Sequence, residues 1–153
     1  MASAARELLA TPEQVWGFLA EPHHLADWWP GILGVEPDRR GFARGARWQV
    51  ARRGARGLLQ RPDGGLHGRV QTETLVIDEL TAGMRWDWQL VGREGGARAA
   101  RPVRVAIELE PAGGGRTRVS VSVESGGWGS ADRLTANTAV ERLYALLQTG
   151  ADA

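Results

Sequence analysis

Three runs in the second half of the chain alternate apolar and polar residues with a strict period of two. Met84, Trp86, Trp88 and Leu90 alternate with Arg85, Asp87 and Gln89. Val103, Val105, Ile107 and Leu109 follow the same rule, and Val119, Val121 and Val123 alternate with Arg118, Ser120, Ser122 and Glu124. Period two is the mark of a half-buried strand. Clean alternation in successive runs means an antiparallel sheet with one wet face. The other face of such a sheet must be buried against a second layer. The C-terminal segment supplies that layer. At about 100° per residue, Ala136, Val140, Leu143 and Leu147 fall on one stripe, Asn137 and Tyr144 lie at its polar margin, and Arg142 points away. Ser130 or a neighbour caps this helix, Asp132 suits its first turn and Gly150 its far end. Its expected length is roughly 18–20 residues, or about 27–30 Å.

The first half adds a strand and two short helices. Residues 4–10 are a candidate strand. Thr11-Pro12-Glu13-Gln14 then starts a helix: Thr11 caps it, Pro12 fits the first helical position, and Gln14 closes a capping box. Val15, Trp16, Phe18 and Leu19 give it an apolar face. Pro22 opens a second short helix through Trp29, which Pro30-Gly31 stops. Trp16, Phe18, Leu25, Trp28 and Trp29 together form a broad apolar wedge. Further strands are expected at Ile32–Glu36, around Trp48 and Val50, and over residues 67–80. Two readings of 67–80 compete. In the favoured one Val70, Thr72, Thr74 and Val76 face inward, and two hydroxyls are offered to a ligand. With a bulge, Leu75 and Ile77 face inward instead, joined by Arg69, Gln71 or Glu73.

The fold class that follows is α+β. A curved antiparallel sheet of about six to seven strands, with two short helices after the first strand, grips one long C-terminal helix. No internal repeat or interior linker interrupts the 153 residues, so a single domain over 1–153 is expected. An incurved sheet gripping a helix leaves a cavity between the two.

Composition removes several chemistries. The chain has no Cys, which excludes disulfide scaffolds, Cys-ligated zinc and thiol catalysis. It has no Lys, which excludes Schiff-base catalysis on that residue. His23 and His24 are adjacent and do not share a helix face at metal-ligand spacing. His67 is the one other histidine, so neither a metal nor another cofactor is expected. The serines at 120–130 lie on a strand and a loop without a nucleophile turn. Asp87, Glu108 and Glu124 share the solvent parity, so no carboxylate pair converges as glycosidic chemistry requires. No apolar run approaches the ~20 residues of a membrane span. Arg6 and Glu7 stand where a signal peptide needs an apolar stretch. A cytoplasmic location is the expectation.

Net charge is +1, but residues 39–69 hold nine arginines against Asp63 alone. Such a segment attracts RNA or an anionic membrane, or is balanced by acidic neighbours in space. Only Phe42 and Trp48 interleave with these arginines, which is poor support for single-stranded nucleic acid, and DNA is not an expected partner. Leu134, opposite the helix stripe, and Leu75 and Ile77 hint at exposed apolar surface, consistent with a monomer or a weak dimer.

Seven tryptophans in 153 residues carry the functional signal. Each brings roughly 150–250 Å² of surface to bury, and a buried indole N–H needs an acceptor. Trp86 and Trp88 share one sheet face, and Trp48 is expected on it too. Trp48, Trp86 and Trp88 are candidate cavity walls, whereas Trp16, Trp28 and Trp29 read as core. Trp128 sits in a glycine-rich loop before the last helix. Thr72, Thr74, Ile107, Trp128, Asn137, Val140 and Tyr144 complete the candidate ligand-binding set. Tyr144 and His67 are the candidate acid–base residues: a tyrosine hydroxyl can polarise a carbonyl for enolisation.

Several segments, in order, resemble a known family. They are Thr11-Pro12-Glu13-Gln14-Val15-Trp16, Leu25-Ala26-Asp27-Trp28-Trp29-Pro30-Gly31, Gly45-Ala46-Arg47-Trp48, Met84-Arg85-Trp86, Leu109-Glu110-Pro111, and Gly114-Gly115-Arg116-Thr117-Arg118-Val119, closed by the long final helix. The set resembles the helix-grip superfamily of the birch-pollen allergen and steroidogenic lipid-transfer domains, in its bacterial polyketide cyclase/dehydrase-like branch. The resemblance implies a hydrophobic ligand held between sheet and helix, and no universal catalytic residues. The leading expectation is therefore a protein that binds a small hydrophobic molecule of aromatic or polyketide-like character. The alternatives are a cyclase/aromatase-type lyase acting on such a molecule, and an interaction protein using the basic 39–69 segment.

Overall fold

The computed structural model describes residues 2–53, 70–92, 102–125 and 129–151. Strand β1 (Ala2–Leu8) leads into helix α1 (Pro12–Leu19), a 3₁₀ turn at Pro22–His24 and helix α2 (Leu25–Trp28). Strands β2 (Ile32–Glu36), β3 (Arg47–Arg53), β4 (Val70–Thr81), β5 (Arg85–Val91), β6 (Val103–Gly113) and β7 (Arg116–Glu124) follow, and α3 (Gly129–Ala151) comes last. The strands form one seven-stranded sheet in the order β1-β7-β6-β5-β4-β3-β2, every pair antiparallel. This is the expected α+β helix-grip architecture.

Local chemistry sets the helix starts. Thr11 Oγ1 accepts the Gln14 N–H at 3.2 Å, and Gln14 Oε1 accepts the Thr11 N–H at 2.9 Å, so the capping box is complete. β1 runs over 2–8, two residues earlier than the 4–10 expected, and Leu8 is buried at its end. α3 has 23 residues, about 34 Å, longer than the sequence pattern suggested. Its Ala136, Ala139, Val140, Leu143 and Leu147 are buried, with the helix packed chiefly on β1 and β7. Helix α3 thus covers one side of the concave face. Over β3, β4 and β5 the cover is aromatic.

The structure settles the parity of β4 against the favoured reading. Leu75 and Ile77 are buried, while Thr72 is exposed and Thr74 half-buried on the outer face, beside Gln49. Cross-strand register gives the reason. Leu75 pairs with Trp48 and Leu90, Ile77 pairs with Trp88, and then the ladder jumps to Glu79 opposite Asp87 and Leu80 opposite Trp86. Asp78 is the extra residue of a bulge, and one extra residue flips the alternation on either side of it. Thr72 and Thr74 are therefore removed from the concave face, and Leu75 and Ile77 are core rather than exposed apolar surface. Met84, expected inward, is 60% exposed because its N–H closes the Thr81–Met84 turn. Leu134 is exposed, as the helix stripe predicts.

This register makes a direct prediction. Leu75→Ala should lower unfolding free energy by about 2–5 kcal/mol, as deletions from a packed core do. Thr74→Ala should change it by no more than about 0.5 kcal/mol. Urea denaturation of the two variants measures both, and equal effects would contradict the bulge.

Candidate functional site

The concave face presents Trp48 and Val50 from β3, Leu75 and Ile77 from β4, Trp86, Trp88 and Leu90 from β5, and Val105, Ile107 and Leu109 from β6, all buried. Trp86 stands opposite Ile107 and Trp88 opposite Val105. Trp86 and Trp88 lie with ring centroids 4.3 Å apart, and Trp48 is 5.7 Å from Trp86. Trp28 meets Trp88 edge-on at 5.9 Å and Trp86 at 6.4 Å; Trp29 meets Trp88 at 5.1 Å. Phe42 meets Trp86 at 4.9 Å. Edge-to-face geometry is what ring quadrupoles favour. Trp28, Trp29, Trp48, Trp86 and Trp88 are all at most 2% exposed. The space expected between sheet and helix is, at this depth, occupied by the protein's own rings.

The loop between β2 and β3 positions two members of this cluster. The Asp38 carboxylate accepts backbone N–H groups from Arg47 at 2.9 Å, Arg40 at 3.0 Å and Gly41 at 3.3 Å. Gly41, in the left-handed region at φ 63°, offers its carbonyl to Trp48 Nε1 at 2.7 Å. Phe42 follows directly. These N–H donors, that of Arg47 first, hold the Asp38 carboxyl below its usual range. Trp48 therefore has its hydrogen bond, but Trp86 and Trp88 do not: neither indole N–H has a partner. A buried donor left unmet costs about 1–3 kcal/mol.

The remaining sequence candidates are scattered. Val140 is buried on α3, on the side facing the sheet. Asn137 is exposed on α3 and does not line the concave face. Tyr144 is half-buried at the sheet's β1 edge, where the Arg6 guanidinium lies 3.9 Å over its ring. Arg6 also donates to Glu141, and that bond first, with Tyr144 adding to it, raises the Arg6 pKa. Two strands, β7 and β6, separate β1, whose Arg6 engages Tyr144, from the Trp86–Trp88 strand β5, about 14 Å across the sheet. Thr72 and Thr74 are on the outer face. His67 and Trp128 lie outside the described residues.

The site also contains residues that the candidate set omitted. Trp28, Trp29 and Phe42 cover the tryptophan wall. Arg52 and Glu73, paired at 2.8 Å, share the concave parity at the end where β3 finishes and β4 begins. The adjacent Trp28-Trp29 pair in the wedge was the available signal for the first two. Glu73 was visible only under the bulged reading of β4.

His24 Nδ1 lies 2.8 Å from the Phe18 carbonyl and its ring stacks on Phe18, a structural role. No group of three potential metal ligands exists among the described residues. Part of the basic segment is balanced as charge bookkeeping suggested: Arg44 pairs with Glu79 and Arg52 with Glu73. No described helix is long and apolar enough to cross a membrane. A cavity of about 450 Å³ is bordered by Asp78, Asp87, Gln89, Arg104, Ser122 and Glu124, from the outer side of the sheet.

A curved sheet, a long terminal helix on its β1–β7 side and an aromatic concave wall define a helix-grip protein. The chain belongs to the polyketide cyclase/dehydrase and lipid transport family, whose sequence profile matches residues 2–151. No curated protein matches it. Among solved structures it is similar to the di-domain ARO/CYC StfQ from the steffimycin biosynthetic pathway, with TM-score 0.70 and 13% identity over 99% of this chain and 46% of that one. The chain thus spans about half the length of that protein. It is also similar to protein NE0264 from Nitrosomonas europaea, with TM-score 0.64 and 22% identity over 97% and 94% of the two chains. A START superfamily protein from Mycobacterium smegmatis matches with TM-score 0.60 and 13% identity over 99% and 96%. These likenesses establish the fold.

Asp38 yields a pH prediction. Its carboxyl titrates lower in the folded than in the unfolded chain, so its charge stabilises the fold above the unfolded value of about 3.9. That contribution is lost as pH falls through the lower folded value. Asp38→Asn should therefore be less stable than the native protein at pH 7, with the gap closing below about pH 4. Denaturant midpoints across pH measure this; a gap that is constant with pH would contradict it.

Proposed function

We propose that this protein binds a small hydrophobic molecule with an aromatic or polyketide-like ring system on the concave face, between the sheet and α3. The observation that carries this reading is the tryptophan wall of Trp48, Trp86 and Trp88 inside a fold whose family is one of cyclases and lipid carriers. Flat π faces on adjacent strands suit a flat ring, since offset and edge-on ring contacts add about 0.5–1.5 kcal/mol beyond burial alone. The similarity to a di-domain ARO/CYC protein of the steffimycin biosynthetic pathway supports the same ligand class. Binding rather than turnover is the reading the residues favour. Tyr144, the first candidate acid, is engaged by Arg6 of the edge strand β1.

Entry requires the covering rings to move, because the wall has no exposed surface with Trp28, Trp29 and Phe42 in place. These rings come from a four-residue helix with its C-cap and from a loop, not from the sheet. Exchange of a protein ring for a ligand ring conserves most of the buried apolar area, which lowers the cost of opening.

Native mass spectrometry of the protein purified from its own cells tests this reading. A one-to-one organic adduct, released by solvent extraction, is the expected result. A bare protein mass, together with unchanged tryptophan fluorescence across a panel of aromatic polyketides, quinones and sterols, would overturn it.

A further inference from the structure

Three buried side-chain polar atoms among the described residues have no hydrogen-bond partner: Trp86 Nε1, Trp88 Nε1 and Arg52 Nε. All three are N–H donors. All three belong to residues on the concave parity of the sheet, two on β5 and one on β3. Folded proteins pair nearly all such groups, so a cluster of one kind on one face is a signature of a missing counterpart. Water does not supply it, because the indole N–H groups have no appreciable accessible surface. The neighbouring rings offer only edges and π faces: Trp28 crosses Trp86 and Trp88 at 61° and 72°, Trp29 crosses Trp88 at 73°, and Phe42 crosses Trp86 at 78°. Such contacts are second-order substitutes for an oxygen acceptor.

We infer that the ligand is an oxygen-bearing aromatic, whose carbonyl or phenolic oxygen accepts from Trp86 Nε1–H, Trp88 Nε1–H or both once the covering rings move aside. The inference rests on the binding reading above and narrows it. A pure hydrocarbon or a lipid tail fills the same space but leaves both donors unmet, whereas a ring ketone, quinone or phenol meets them. Trp48, whose N–H is already taken by Gly41, contributes surface and no polar recognition. Arg52 lies on the same face, toward the end where β3 finishes, with one Nη group on Glu73 and Nε unmet. Its position gives a longer ligand a second site for an acceptor, separate from the indole pair.

The test compares 2-acetylnaphthalene with 2-isopropenylnaphthalene, which differ only in C=O against C=CH₂. Binding is measured by calorimetry on the native protein, and on proteins in which the indole of Trp86 or Trp88 is replaced by benzothiophene. That replacement keeps the ring shape and removes the N–H. The expected result is a preference for the ketone of about tenfold or more, the scale of one hydrogen bond, that collapses in at least one replaced protein. Equal binding of the two probes, or a ketone preference that survives both replacements, overturns the inference and leaves the hydrophobic-binding reading standing. No binding of either probe counts against the binding reading itself. Should a replaced protein not fold, the indole ¹H–¹⁵N resonances of the native protein decide the matter. Those of Trp86 or Trp88 move downfield with the ketone alone if the inference holds, and move identically with both probes if it fails.

Discussion

The packing of Trp28 and Trp29 onto Trp86 and Trp88 is the contact on which the rest of the molecule depends. α3 covers the concave face chiefly over β1 and β7, and an antiparallel sheet leaves no stable state with the remaining apolar face in water. The rings at the end of the second short helix close that gap, and Phe42 from the β2–β3 loop completes the closure. The same contact has a functional side. The rings that seal the sheet come from a short helix with its C-cap and from a loop, while the wall they seal is built from paired strands.

A second consequence concerns polarity. The outer face of the sheet is studded with ion pairs such as Arg85 with Asp87, and the loops satisfy their backbone through Asp38 and the Thr11 box. Against that background of satisfied groups, the unmet donors on the concave face stand apart. Proteins violate local rules chiefly where function requires it. On the binding reading proposed above, the ring-filled state is a resting state whose contacts a suitable ligand would improve, by returning to the indoles the hydrogen bonds that their own neighbours do not supply.

Much of the fold was legible because it rests on periodicity. The alternation at Trp86–Trp88–Leu90 and Val105–Ile107–Leu109, the Thr11 capping box and the Ala136–Val140–Leu143–Leu147 stripe each report one local rule. The β4 strand was read with the wrong face inward because a bulge at Asp78 obeys no period: Val70–Thr72–Thr74–Val76 looks like a clean alternation until the cross-strand register is known. The candidate site was less legible. Trp48, Trp86, Trp88 and Ile107 come together as their strand parity required. Asn137 and Tyr144 do not join them, because a helix margin has two sides, and only the tertiary packing of α3 shows that the Tyr144 margin meets Arg6 on β1. Trp28 and Trp29 read as core and are buried in it, but nothing in a single sequence shows that two short helices will lie against the middle of a sheet. The unmet indole donors are a property of packing and have no sequence signature at all.

The measurement that bears most directly on this account is an experimental structure of the protein with its extracted natural ligand or a bound aromatic ketone. The account predicts a flat ring lying against Trp86 and Trp88 on the concave face, an oxygen within hydrogen-bond distance of an indole N–H, and the rings of Trp28, Trp29 or Phe42 displaced from their ligand-free positions. A ligand seated instead in the outer cavity beside Asp78, Arg104 and Glu124, with the aromatic cluster unchanged, would contradict it.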